Sequence, residues 1–149
     1  MKWRNAAIAA FCIGVSTGAA RGAETDSRIP VALTAPEKAF VLDQMRLFVK
    51  SVEQIVTGLA TGDKAMAVEA ASARGAIRFR ADGAMFPALN DKFPDKWKQL
   101  GQPMRKGFDE LSKALAEGED TMRALARLGS LMSNCVACHE TYRIVDAKN

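Results

Sequence analysis

The sequence predicts an all-α protein, an antiparallel four-helix bundle of up-down-up-down order. Three observations predict it. Four segments carry apolar residues at alternating steps of three and four, the period of a helix with one buried face. The turns at 61–63 and 118–119 are short, which makes the helices they join antiparallel neighbours. β-branched residues are few beside Ala, Leu, Met, Lys and Glu. The 149 residues suit one domain with its own core. With 48% apolar and 26% charged residues, the composition excludes a disordered tail, a collagen-like fibre and a polytopic membrane protein.

Residues 1–23 read as a secretory signal peptide rather than as part of the bundle. Lys2 and Arg4 form a short basic start, Ala6 to Val15 an apolar run, and Ser16 to Ala20 a stretch of small residues. The run is shorter than the roughly 20 residues of a membrane span. Cleavage after Ala20 or Gly22 leaves small residues at the first and third positions before the cut. Cys12 follows the bulky Phe11 and so lacks the small neighbour of a lipoprotein site. The chain has 21 basic and 17 acidic residues, a formal charge of +4 and a pI of about 9.1. Removing Lys2, Arg4 and Arg21 leaves 18 basic against 17 acidic residues in the domain 24–149, so its charge implies no nucleic acid partner. No membrane span remains after cleavage, and export places the domain in the periplasm.

Within 24–149, residues 24–33 read as irregular, and no strand is expected. Thr34-Ala35-Pro36-Glu37 has the form of a capping box with proline in the first turn. Val41, Met45, Phe48, Val52, Ile55 and Leu59 then mark the buried face of a first helix, about 35–60, ending near Thr61-Gly62. Asp63 can cap a second helix, 64–81, with a stripe at Met66, Ala70, Ala73 and Ile77, stopped by Asp82-Gly83. Residues 83–102 read as a long connection with a short helix near Lys96–Leu100, folded over the core by Phe86, Phe93 and Trp97. Pro103 opens a third helix with Met104, Phe108, Leu111 and Leu115 on its face, ended by Gly118. A fourth helix, 120–145, has its seam at Leu125, Leu128, Met132, Cys135, His139 and Tyr142.

The chemistry is concentrated in Cys135-Val136-Ala137-Cys138-His139, a C-x-x-C-H motif of the kind that attaches one covalent haem c. Two thiols three residues apart share a helical face and can bond to the two vinyl groups along one haem edge. The histidine lies one turn beyond the first cysteine and can supply the proximal iron ligand. These are the only Cys and His residues of the predicted mature chain. A zinc site would normally need a fourth ligand from elsewhere. A thioredoxin-like pair would need a βαβ setting. An i, i+3 disulfide would constrain almost nothing.

A second axial histidine is excluded, because His139 is the only one. Of the seven methionines, Met122 and Met132 share the fourth helix with His139 and cannot cross the haem. In the expected bundle, Met45 sits on the inward seam of the first helix. At a rise of 1.5 Å per residue its level lies within about 6 Å of that of His139. Met45 is the candidate sixth ligand, and core filling is the competing role for a methionine at a seam position.

The segment CVACHETYR on the last helix of an exported four-helix chain resembles the cytochrome c-prime family, over roughly residues 34–145. Phe86-Pro87 followed by Trp97 is similar to that family's connection between its second and third helices. The resemblance implies two forms. High-spin members leave the sixth position open and bind nitric oxide or carbon monoxide; low-spin members place a methionine there. Leu42-Asp43-Gln44-Met45-Arg46 resembles the methionine-bearing form. It also implies that Arg143 lies beside the haem edge, where it can pair with a propionate. A solvated arginine near a helix C-terminus is the other reading. Tyr142 reads as packing.

These readings lead to one expectation. The protein is a periplasmic monohaem c-type cytochrome that carries single electrons between redox partner proteins, with Cys135 and Cys138 holding the haem and His139 and Met45 the iron. The alternative is a five-coordinate cytochrome that binds nitric oxide or carbon monoxide. An enzyme such as a peroxidase would want a distal acid or base, which the first helix seam lacks. The family resemblance implies a homodimer through the first two helices, which the alanines of the second permit. Lys92, Lys96 and Lys98 are the candidate patch for charge-guided docking.

Overall fold

A computed structural model describes residues 26–81 and 89–148. Residues 1–23, read above as a signal peptide, and the Phe86-Pro87 dipeptide lie outside the described residues. The fold is all-α with a short sheet: β1 (Ile29–Leu33), α1 (Ala35–Thr61), α2 (Lys64–Ser72), α3 (Ala76–Ala81), α4 (Leu89–Lys92), α5 (Asp95–Ala116), α6 (Thr121–Thr141) and β2 (Tyr142–Asp146). α1 packs on α2, α2 on α5 and α5 on α6, while α1 meets α6 only sparsely.

The first helix has the expected bounds. Glu37 reaches back to its start, where its Oε2 accepts from the Thr34 backbone N–H at 2.9 Å and from the Thr34 hydroxyl at 2.8 Å. Lys92 Nζ adds a 2.7 Å ion pair, and the three donors hold the Glu37 carboxyl down at about 2. Gly62 ends α1 with φ +80°, a conformation that costs a residue without Cβ little. Asp63 then caps α2, its Oδ1 accepting from the Met66 N–H at 3.0 Å. Gly58 lets the next helix come close, since a Cβ there would meet Asp63 O at 2.7 Å and Ala67 N at 3.0 Å.

Four expectations are corrected. The second helix is broken after Ser72. Asp109 of α5 accepts from Ala76 N at 2.9 Å and Ile77 N at 3.3 Å, capping α3 from a distant part of the chain. Its carboxylate packs against Gly75, where any side chain would collide with it. The buried face of α2 is Ala67, Ala70 and Ala71, whereas Met66 is 39% and Ile77 66% exposed. These alanines face the core and are not available to a dimer contact. The third helix begins at Asp95, eight residues before Pro103, so the short helix at 96–100 is its first part. Pro94 precedes it, and Pro103 sits in its interior.

The fourth correction is the sheet. The last helix ends at Thr141, and Tyr142–Asp146 pairs in parallel with Ile29–Leu33, in the register Ile29↔Tyr142 to Leu33↔Asp146. Pro30 is tolerated because each strand has a free edge. A two-stranded ribbon is marginal alone. This one is held by burial of Val31, Leu33 and Tyr142 against Val41 and Leu89. The main core lies at the other end, around Phe48, Ile55, Leu59, Phe108, Leu111, Leu115 and Leu128.

Candidate haem-attachment site

The two thiols of the C-x-x-C-H motif lie on the last two turns of α6 and are not bonded to each other. Both are half-buried. Burial raises both thiol pKa values, and for Cys138 burial and the neighbouring Cys135 push it to about 11. Burial thus works against the thiolate form of both, the opposite of the low-pKa pair of a disulfide oxidoreductase. Cys135 Sγ lies 3.4 Å from Met104 Sδ of α5. His139 is exposed in the last turn of the helix.

Strand pairing positions this end of the helix. The Tyr142 N–H donates to Cys138 O, closing the last turn. Arg28, just before β1, donates from Nη1 to the His139 carbonyl at 3.1 Å, and Arg143 Nε donates to Arg28 O at 3.2 Å. Residues 111 positions apart thus fix where the motif ends. Asp26 holds Arg28 from the other side at 2.6 Å, and its carboxyl is lowered to about 2 by that guanidinium.

Two adjoining cavities open here. The smaller, about 270 Å³, is lined by Cys138, His139, Met45, Trp97, Tyr142 and Arg143, with Arg28, Lys38, Leu42 and Ile144. It gathers four of the five residues that the sequence singles out; the fifth, Cys135, faces Met104 instead. The larger, about 740 Å³, is walled by aromatic residues of α1, α3 and α5 and shares Met45 and Trp97 with the smaller. Trp97 is held by Phe93, stacked at 4.9 Å and 3°, and by Tyr142 at 5.3 Å.

The arrangement can hold a flat apolar group with sulfur and imidazole donors at one edge. Among the described residues no three His, Cys, Asp or Glu side chains are grouped to hold a bare metal ion, and no helix is long and apolar enough to cross a membrane. The lysine patch is partly neutralised. Lys92 pairs with Glu37 and Lys98 with Asp95, and Lys96 is exposed. Sequence reasoning missed Arg28, Lys38 and Arg105. They carry no motif, and only the folded chain brings them to the cavities. Comparison with protein-family models, curated proteins and solved structures finds no match for this chain.

Proposed function

We propose that this chain is an exported monohaem c-type cytochrome of cytochrome c-prime type, a four-helix bundle that passes single electrons between protein partners in the periplasm. The observation that carries the reading is the convergence of Cys138, His139 and Met45 on one cavity beside a second cavity of about 740 Å³, within the size range of cofactor sites. Cys135 and Cys138 would hold the haem through two thioethers, and His139 and Met45 would hold its iron. The haem supplies a one-electron couple, and methionine ligation favours its reduced state.

The chain's own contribution is position and exclusion of water. The hydrogen bonds from Arg28 and Tyr142 fix the helix end that carries His139. Trp97, Phe93 and Tyr142 cover the site from one side. Met45 is half-buried on a rigid 27-residue helix, so little need rearrange during electron transfer. A homodimer through α1 is supported by Leu42, Val49 and Val56, exposed at seven-residue intervals along it.

The second reading, a five-coordinate cytochrome binding nitric oxide or carbon monoxide, draws on the same wall. Met45 also borders the large cavity, so a thioether turned that way would leave the sixth position open. Absorption spectra of the purified holoprotein decide between them. The electron-carrier reading expects the far-red methionine–iron band in the oxidised form, little carbon monoxide binding in the reduced form, and loss of the band in Met45→Ala. No far-red band, together with ready carbon monoxide binding, would sink it. Intact mass without an attached haem would sink both.

A further inference from the structure

The large cavity has an aromatic wall and, beside Arg80, Lys98 and Lys106, one half-buried arginine. Phe40, Phe48, Phe79 and Trp97 line it with Met45 and Met104. Arg105, one residue beyond Met104 on α5, also lines it. Its guanidinium sits 3.6 Å from the Phe79 ring centroid and 4.9 Å from that of Phe48. Its hydrogen bonds are long: 3.5 Å from Nη1 to Arg74 O and 3.4 Å from Nη2 to Gln44 Oε1. No carboxylate among the described residues forms an ion pair with it. Asp109, one turn further along α5 on the same wall, is committed to the N–H groups of Ala76 and Ile77. Burial, and then the nearby charge of Arg74, lower the Arg105 pKa to about 10, as expected of a cation without an anion.

The cations of the smaller cavity differ. Arg28 is paired with Asp26 at 2.6 Å and Lys38 with Asp146 at 2.9 Å, and Arg143 donates to a backbone carbonyl. Arg143 likewise has no ion pair among the described residues, but of the arginines lining the two cavities it is Arg105 whose guanidinium is held between two aromatic rings. A haem carries two carboxylates, and one that enters such a space is stabilised there by a cation.

We propose that Arg105 holds one of the two haem carboxylates, at the aromatic end of the large cavity between Phe48 and Phe79. This rests on the haem reading above. Arg105 is then a positioning residue: it neutralises a ring carboxylate and fixes the ring edge, and it touches neither iron nor thioether. An uncompensated carboxylate would favour ferric iron, so loss of Arg105 lowers the potential.

The test uses the holoprotein, with haem attachment first established by intact mass, and compares wild type, Arg105→Gln, Arg105→Lys and Arg143→Gln. Two quantities are read: the midpoint potential and the ring-carboxylate bands in redox-difference infrared spectra. Arg105→Gln is expected to shift the potential downward and displace a carboxylate band. Arg105→Lys keeps the charge but loses the planar fork, so it should restore most of the potential while the band stays displaced. If Arg105→Gln does not mature, Arg105→Lys carries the test, and an unmoved band overturns the proposal. So does a result in which Arg143→Gln alone moves both quantities. A wild-type protein without attached haem fails at the first step and overturns the haem reading itself, which separates the two failures.

Discussion

The two ends of the molecule are built to different standards. At the closed end, Ile55, Phe108, Leu111 and Leu115 are at most 2% exposed, and Ala67, Ala71 and Ala124 let the helices close on them. At the open end, Met45, Phe93, Trp97 and Cys138 are only partly buried and border cavities. A protein interior is normally close-packed. The contrast separates the part that holds the fold from the part that leaves room for a ligand. The open end combines a smaller apolar cluster under a two-stranded ribbon with a few long-range hydrogen bonds, where the closed end relies on a larger apolar core.

Substitutions can break this division or sharpen it. The largest effect is expected from Cys135→Ser with Cys138→Ser. On the haem reading proposed above, covalent attachment is lost outright, read as a missing mass increment and an extractable pigment. Helicity by circular dichroism changes little, because the buried anchors of α6, Ala124 and Leu128, lie at the closed end. A collapse of helicity would show that the open end carries the fold as well.

Next comes Leu111→Ala in urea denaturation. At 0% exposure, Leu111 should cost about 2–5 kcal/mol. Met45→Ala, on a wall that already borders empty space, should cost less than half of that in the same apoprotein. Equal costs would erase the distinction between the ends.

Glycines give a smaller, signed test. Gly58→Ala places a methyl against the backbone of Asp63 and Ala67 and should destabilise by about 1–3 kcal/mol. Gly129→Ala, on α6 with nothing within 4 Å, should stabilise by about 0.5–1 kcal/mol through helix propensity. A loss of stability in Gly129→Ala would reveal an unseen neighbour on that face.

The smallest effect concerns Glu37, at the junction of α1 with the open end. Its carboxyl is lowered from 4.5 to about 2, so the unfolded chain takes up this proton first as the pH falls. Its stabilisation is fully present above pH 4.5 and is lost progressively toward about pH 2. Acid titrations of wild type and Glu37→Gln should converge across that window. Parallel curves would mean that Lys92 and Thr34 do not hold this carboxylate in solution.

The helical class was legible because its causes are local, and the C-x-x-C-H pattern is local in the same sense. The steps from Val41 to Leu59 and from Met104 to Leu115 record one face of a helix, and that face is buried except at Met45, Val52 and Met104, which are partly so. Asp63 and Asp120 each accept from a backbone N–H three residues on, so their capping needed no tertiary context. The break after Ser72 was not legible, because the group that caps α3 lies 33 residues away. Pro103 misled for a related reason. Proline fits the start of a helix best, but the apolar anchors Phe93 and Trp97 begin α5 earlier and carry it through. In the last helix the seam was right at Leu128 and wrong at Met132 and His139, which are exposed, and the helix stops before Tyr142, where the chain turns into a strand.

By itself, the sequence determined the elements whose causes lie within one helical turn: the period of the stripes, the caps, and the five-residue motif with its two thiols and single imidazole. Tertiary structure decided where the last helix stops, which cations meet the cavities and that Met45 shares a wall with Cys138 and His139. These depend on residues about a hundred positions apart, such as Arg28 with His139 or Lys38 with Asp146. Parallel strands and cavity walls pair distant segments, and no local pattern of side chains encodes that pairing.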